Sequence, residues 1–212
     1  HYPLRRQRQM CIRDSGWSST LGFEVAVPGS DYGFYKLNWT GQKYFPITQR
    51  WTLRTRADVA YGDGYGDDTV LPFFENYYSG GIGSVRGYES RSLGPRSEGL
   101  SYFLNGTTDP SPDPIGGNFL TEASMELIFP TPFAPESRSV RTFLFVDAGN
   151  VFETERDDIF ADFEPQDIRT SAGIGLTWLT VIGPLSFNLA KALNDQPGDD
   201  TEVFQFSLGQ TF

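Results

Sequence analysis

The sequence predicts an all-β fold, an antiparallel transmembrane β-barrel of about eight strands, and three observations carry that prediction. From residue 19 onward apolar and polar residues alternate with a period of two over most of the chain, as in strands with one face in each of two environments. No run of about 18 apolar residues occurs, which excludes a transmembrane helix but not a barrel, whose alternating strands hide from average hydropathy. The mean hydropathy is accordingly low, at −0.36. Aromatic residues make up 15% of the chain, as 18 Phe, 10 Tyr and 4 Trp. That number suits the interfacial girdles of a membrane barrel.

Residues 1–15 (HYPLRRQRQMCIRDS) stand apart. They hold the single His and the single Cys and show no alternation. Four arginines against Asp14 give them a net +3, so residues 16–212 carry −13 of the overall −10. A signal peptide needs an apolar stretch behind its basic residues, and none is present here. This segment is expected to be a non-native or unstructured leader, with the barrel domain over 16–212.

The strands follow in order. Residues 19–28 set Leu21, Phe23, Val25 and Val27 against Gly22, Glu24 and Ala26, and Pro28-Gly29-Ser30-Asp31 has turn chemistry. Residues 33–45 set Tyr35, Leu37 and Trp39 against Lys36, Asn38, Thr40 and Gln42. Residues 50–61 set Trp51, Leu53, Thr55, Ala57, Val59 and Tyr61 against Arg50, Thr52, Arg54, Arg56 and Asp58. Taken singly, such a strand fits a soluble sandwich as well as an aqueous lumen.

Residues 62–117 contain no convincing strand and are rich in Gly, Pro, Asp and Ser. A loop of that length inside a compact domain is usually functional or disordered. Five strands are expected beyond it. Residues 118–129 put Glu122, Ser124 and Glu126 on the polar face, and 140–149 put Arg141, Phe143, Phe145 and Asp147 together. Residues 171–180 carry small residues on one face, at Ser171, Gly173, Gly175 and Thr177. Residues 184–192 set Leu185, Phe187 and Leu189 against Ser186, Asn188 and Ala190. Residues 203–212 set Phe204, Phe206, Leu208 and Phe212 against Gln205, Ser207, Gly209 and Thr211.

After residue 61 long connections (62–117, 150–169 and 193–202) alternate with shorter ones (130–139 and 181–184). Sorting of long loops to one rim and short turns to the other is a property of outer-membrane barrels, not of soluble ones.

The most informative stretch lies inside the long loop, at Gly80-Gly81-Ile82-Gly83-Ser84-Val85-Arg86-Gly87-Tyr88. An arginine on a solvated loop contributes little. Here the following strands offer Glu126 and Asp147 on their polar faces, which predicts a loop folded back into the barrel.

Other chemistry finds little support. A charge of −10 with no basic stripe argues against nucleic acid. The acidic turns Asp63, Asp67, Asp68, Asp109 and Asp113 do not fit a calcium loop. One cysteine supports neither a disulfide framework nor a thiolate metal site. No nucleophile elbow or paired-acid signature stands out. Neither a cofactor nor an enzymatic activity is expected.

Several motifs together resemble one family. They are Phe74-Glu75-Asn76-Tyr77-Tyr78-Ser79-Gly80-Gly81, Val85-Arg86-Gly87-Tyr88, Leu93-Gly94-Pro95, Glu126-Leu127-Ile128-Phe129-Pro130-Thr131-Pro132, Phe145-Val146-Asp147-Ala148-Gly149-Asn150-Val151-Phe152, and Phe204-Gln205-Phe206-Ser207-Leu208-Gly209-Gln210-Thr211-Phe212. In this order, from about residue 17 to the end, they resemble the outer-membrane protein assembly factors of the bacterial surface antigen superfamily.

The resemblance implies the last eight strands of a sixteen-stranded barrel in the bacterial outer membrane, with the first eight strands and the periplasmic domains outside this chain. It implies that 62–117 is the sixth extracellular loop. It assigns Val85, Arg86, Gly87 and Tyr88 as the loop motif, with Glu126 and Asp147 as the lumen partners of Arg86. Phe204, Phe206, Gly209 and Phe212 would form the terminal strand and its gate, with Gly209 able to kink inward. The implied function is assembly and insertion of client barrels without a chemical step. Implied partners are outer-membrane lipid, nascent β-barrel proteins and accessory lipoproteins. The open alternatives are a related translocation-and-assembly or two-partner secretion transporter, or a small passive pore or adhesin. Glu126→Arg is expected to be damaging, and an Arg86→Glu/Glu126→Arg exchange is expected to restore part of what it removes.

Overall fold

The computed structural model describes residues 16–27, 32–66, 70–97, 113–133, 137, 139–154 and 167–209. Eight strands form, β1 (Gly16–Val25), β2 (Phe34–Pro46), β3 (Thr52–Gly64), β4 (Phe119–Phe129), β5 (Val140–Phe152), β6 (Arg169–Thr180), β7 (Gly183–Ala192) and β8 (Phe204–Leu208). They lie in one antiparallel sheet in sequence order, each strand paired with the next. Among the described residues, no strand pairs with the outer edge of β1 or of β8. The expected leader, residues 1–15, lies outside the described residues.

All eight expected strands are present, with shifted ends. β1 begins at Gly16, because Gly16 to Val25 pair with Tyr44 to Tyr35 of β2. β5 runs on to Phe152, past the loop start expected at residue 150, because Asn150, Val151 and Phe152 pair with Thr121, Leu120 and Phe119. β8 stops at Leu208, where Gly209 turns to a φ of +80°.

The sheet buries its polar side and exposes its apolar one. Along β5, Val146 is 51% exposed while its neighbour Asp147 is fully buried. Leu144 is exposed between Phe143 and Phe145, which are buried. Asn188, Gln205 and Ser207 are buried, while Leu189, Phe204, Phe206 and Leu208 of the same strands are exposed. Apolar side chains on the outside of a sheet whose inside is polar require a hydrocarbon solvent.

Two aromatic belts mark the limits of that surface. Tyr35, Tyr61, Phe119 and Phe152 run ring to ring across four strands, at centroid distances of 6.3, 6.5 and 6.1 Å. At the other end Trp51 stacks on Phe129 at 5.5 Å. The ten residue steps from Trp51 to Tyr61 correspond to roughly 33 Å of strand at the usual rise. At a strand tilt of about 40° this projects to about 25 Å, the height of a barrel's apolar band.

The sheet is also strongly curved. The consecutive residues Arg86 and Gly87 bond to Glu126 on β4 and to Gln205 on β8. In a flat sheet those strands would lie roughly 19 Å apart at the ordinary strand spacing. Only a sheet wrapped around the loop allows both bonds.

The midplane of the band falls near Val146. Val146→Arg is expected to destabilise folding into lipid vesicles by about 2–4 kcal/mol, against about 0–1 for Val140→Arg near the rim. Denaturant titrations followed by heat-modifiable gel mobility check both values; equal costs would contradict this placement of the membrane.

Candidate functional site

From residue 70 on, the described residues of the β3–β4 connection, 70–97 and 113–118, fold over the concave face. Tyr77 and Gly117 exchange backbone hydrogen bonds of 2.8 and 3.0 Å, and Leu93 N–H donates to the Ser79 carbonyl at 3.1 Å. These bridges draw the loop into a doubled-back finger with Arg86 near its tip. Glycine is required at two points. A Cβ on Gly80, at φ +103°, would lie 2.5 Å from the Glu89 carbonyl oxygen. Gly87, at φ +91°, passes so near β7 that a Cβ would come within 3.1 Å of that of Ala190. Val85, Tyr88 and Leu93 form a small fully buried apolar cluster that keeps the finger seated.

Arg86 uses nearly all of its donors. Its Nε donates to Asp147 Oδ2 at 2.7 Å and its Nη2 to Asp147 Oδ1 at 2.8 Å, a bidentate pair. Its backbone N–H also donates to Asp147 Oδ2, at 3.2 Å. Nη1 donates to Glu126 Oε1 at 2.9 Å and Nη2 to Ser124 Oγ at 3.0 Å. Ser124 in turn donates to Asp147 Oδ1 at 2.7 Å. The other Glu126 oxygen accepts from Arg54 Nη1 on β3 at 3.0 Å. Two guanidinium groups thus face two carboxylates in a buried, locally neutral cluster. Burial by itself would lower the arginine's pKa, but Asp147 and Glu126 more than offset it and hold Arg86 above its ordinary value. Burial also pushes the Tyr88 phenol up to about 12, with the charge of Asp199 adding to the effect.

The structure therefore brings Arg86, Glu126 and Asp147 together, and adds groups that were not singled out from the sequence. Phe145 lies under the guanidinium with its centroid 3.7 Å from Cζ, and Phe143 lies at 5.5 Å. Their registered partners on β6 are Gly173 and Gly175. A Cβ on Gly173 would meet Phe145 Cζ at 2.6 Å, so a larger residue would displace the ring. The signal was present in the sequence, as two aromatics on a polar face beside a strand whose matching face is small.

A third carboxylate, Glu122, accepts from Ser79 Oγ at 2.7 Å and from Ser84 Oγ, and holds the base of the finger. Arg56 adds a bond from Nη1 to the Gly83 carbonyl at 3.4 Å. Glu122 was placed on the lumen face by its alternation, but nothing in its spacing distinguished it from other lining acids.

The family profile of the Omp85 superfamily domain matches residues 13–212. The chain belongs to the Omp85 superfamily. It is 35% identical over 221 aligned residues to the outer membrane protein assembly factor BamA of Neisseria meningitidis serogroup B, covering 93% of this chain and 26% of that protein. It is 29% identical to the sorting and assembly machinery component 50 homolog of Homo sapiens over 65% of this chain. The crystal structure of BamA from Haemophilus ducreyi lacking POTRA domains 1–3 superposes with a TM-score of 0.80 at 35% identity, over 91% of this chain and 38% of that one. The chain thus spans about a quarter of the length of the Neisseria relative.

In this Omp85 chain the residues expected at the terminal strand are less concentrated. Phe204 and Phe206 point outward and are each 54% exposed. Gly209 ends the strand with positive φ, a conformation that glycine adopts without strain. Phe212 lies outside the described residues. The inward residue that engages the loop is Gln205, and it was not expected to do so.

The charge arrangement alters one expectation. In the Arg86→Glu/Glu126→Arg exchange, the carboxylate at 86 would face Asp147 and the arginine at 126 would face Arg54. The exchange is therefore expected to restore nothing. Asp147→Ala, which leaves a buried guanidinium half-paired, should destabilise the protein by roughly 3–5 kcal/mol. Arg86→Lys should also be costly, since an ammonium cannot reproduce the bidentate pair or the ring stacking. Unfolding midpoints of the three variants in lipid check this; a stable exchange variant would contradict the assignment of Asp147 as principal partner.

Proposed function

We propose that this chain is the C-terminal half of the barrel of an outer-membrane protein assembly factor, located in the bacterial outer membrane. In this reading it helps fold and insert client β-barrel proteins and performs no chemical step. The observation that carries the reading is the finger itself. A passive eight-stranded pore has no use for a loop arginine bound by carboxylates of two strands, which fills the space through which solutes would pass. The identity to BamA proteins over nearly the whole chain supports the same choice.

The proposed mechanism is templating. The outer edge of β8 offers backbone donors and acceptors, and an extended client strand would add to it by β-augmentation. Arg86, seated on Asp147 and Glu126, would keep the finger and the curvature of the sheet in the arrangement that presents this edge. The preceding barrel strands, the periplasmic domains and accessory lipoproteins would complete the working assembly.

In the full-length protein, Arg86→Ala is expected to reduce client assembly at least tenfold while leaving strands β4–β7 folded. Insertion of a radiolabelled barrel client into proteoliposomes measures it. Wild-type insertion by a correctly folded Arg86→Ala protein would refute the proposed role of the finger.

A further inference from the structure

β8 is the least supported strand of the sheet. Among the described residues it shares five registered pairs with β7, from Leu185↔Leu208 to Leu189↔Phe204. One backbone bond lies beyond each end, from Ala190 N–H to the Val203 carbonyl and from Gly209 N–H to the Pro184 carbonyl, both at 2.9 Å. Every other neighbouring pair of strands shares ten or more. Short pairing on one edge alone leaves a strand prone to fray, because local opening free energies follow local contacts.

What β8 lacks in pairing, it receives from the finger. Gln205 is buried on the inner face. Its Nε2 donates to the Tyr88 carbonyl at 2.7 Å, and its Oε1 accepts from Gly87 N–H at 3.4 Å. The chain just before β8 adds two backbone bonds, from Glu202 N–H to the Gly87 carbonyl at 3.0 Å and from Glu89 N–H to the Asp200 carbonyl at 2.9 Å. Gly87 is placed for this by its positive φ and its close approach to Ala190, which turn its backbone groups toward β8. One residue earlier, Arg86 is fixed to β4 and β5 through Glu126 and Asp147. A single dipeptide therefore joins the middle of the sheet to its most weakly paired edge.

We infer that Gln205 is a positioning residue that couples the finger to the terminal strand, so that seating of Arg86 determines how firmly the β8 edge is held. The inference extends the templating function proposed above, since β8 is the edge offered to clients. When Arg86 sits on Asp147, the carboxamide of Gln205 finds the Gly87–Tyr88 peptide in place and β8 is held in register. When Arg86 leaves, both carboxamide bonds to the finger lose their partners and β8 is left with its short pairing to β7.

Amide hydrogen exchange of the full-length protein in lipid nanodiscs tests this without any client, so its outcome is independent of the assembly assay. Arg86→Ala is expected to speed exchange across 204–208 roughly tenfold, the size of one or two hydrogen bonds, while 119–129 stays protected. Gln205→Ala should give a similar rise, and the double variant should add less than about twofold beyond either, since both changes break one connection. Unchanged exchange in 204–208 when Arg86→Ala frees residues 84–93 would overturn the inference, and so would two effects that simply multiply. Should Arg86→Ala loosen the whole sheet, Gln205→Glu decides. It keeps the acceptor for Gly87 N–H, removes the donor shared by Tyr88 and Glu202 and leaves the arginine cluster untouched. A rise confined to 204–208 and 84–93 supports the coupling, and no rise refutes it.

Discussion

A guanidinium group buried beneath a loop is the constraint on which the rest of this structure depends. Arg86 cannot be withdrawn from water unless its charge and its donors are met at the same place. Asp147 meets two side-chain donors and a backbone N–H, Glu126 a third side-chain donor, and Phe145 covers the face of the group. Because Asp147 and Glu126 stand on adjacent strands, satisfying Arg86 also fixes the register and curvature of β4 against β5. The second guanidinium, Arg54, extends the same cluster to β3 and balances its charge. Desolvation makes such a cluster strong evidence of geometry and weak evidence of stability. Its value here is that the finger, placed as it is, satisfies it against two adjacent strands at once.

The environment of the sheet follows from the same inversion of polarity. In a soluble β-domain, the buried face would hold the aliphatic residues and the exposed face the charges. Here the exposed face is Leu, Val, Phe and Trp, bounded by aromatic belts, and the interior holds serines, amides and ion pairs. The polar finger lies on the inside, and the apolar outside suits lipid. The longest connections, 65–118 and 153–168, join strand ends on the rim from which the finger descends, and 47–51, 130–139 and 181–182 join strand ends on the other.

The finger also joins parts of the sheet that differ greatly in support. β4 and β5 pair along eleven registered positions, and β8 holds to β7 by five. Loop contacts on the inner face compensate for what edge pairing does not provide. A strand held in this way stays ordered without closing its outer edge, which suits an element whose proposed task is to accept another strand.

Much of this was legible in the sequence, for a simple reason. A strand has a side-chain period of two, so alternation alone assigns each residue to a face, and it placed Glu126 and Asp147 on the face where Arg86 meets them. Turn residues and loop lengths likewise gave the sorting of the rims. Alternation could not say which acid would take the bidentate pair, why Phe143 and Phe145 face a polar interior, or that Gln205 grips a peptide 117 positions away. Those facts depend on register and curvature, since a slip of one residue reverses every face. They were decided only when eight strands wrapped around one loop and brought β4 and β8 within reach of the same two residues.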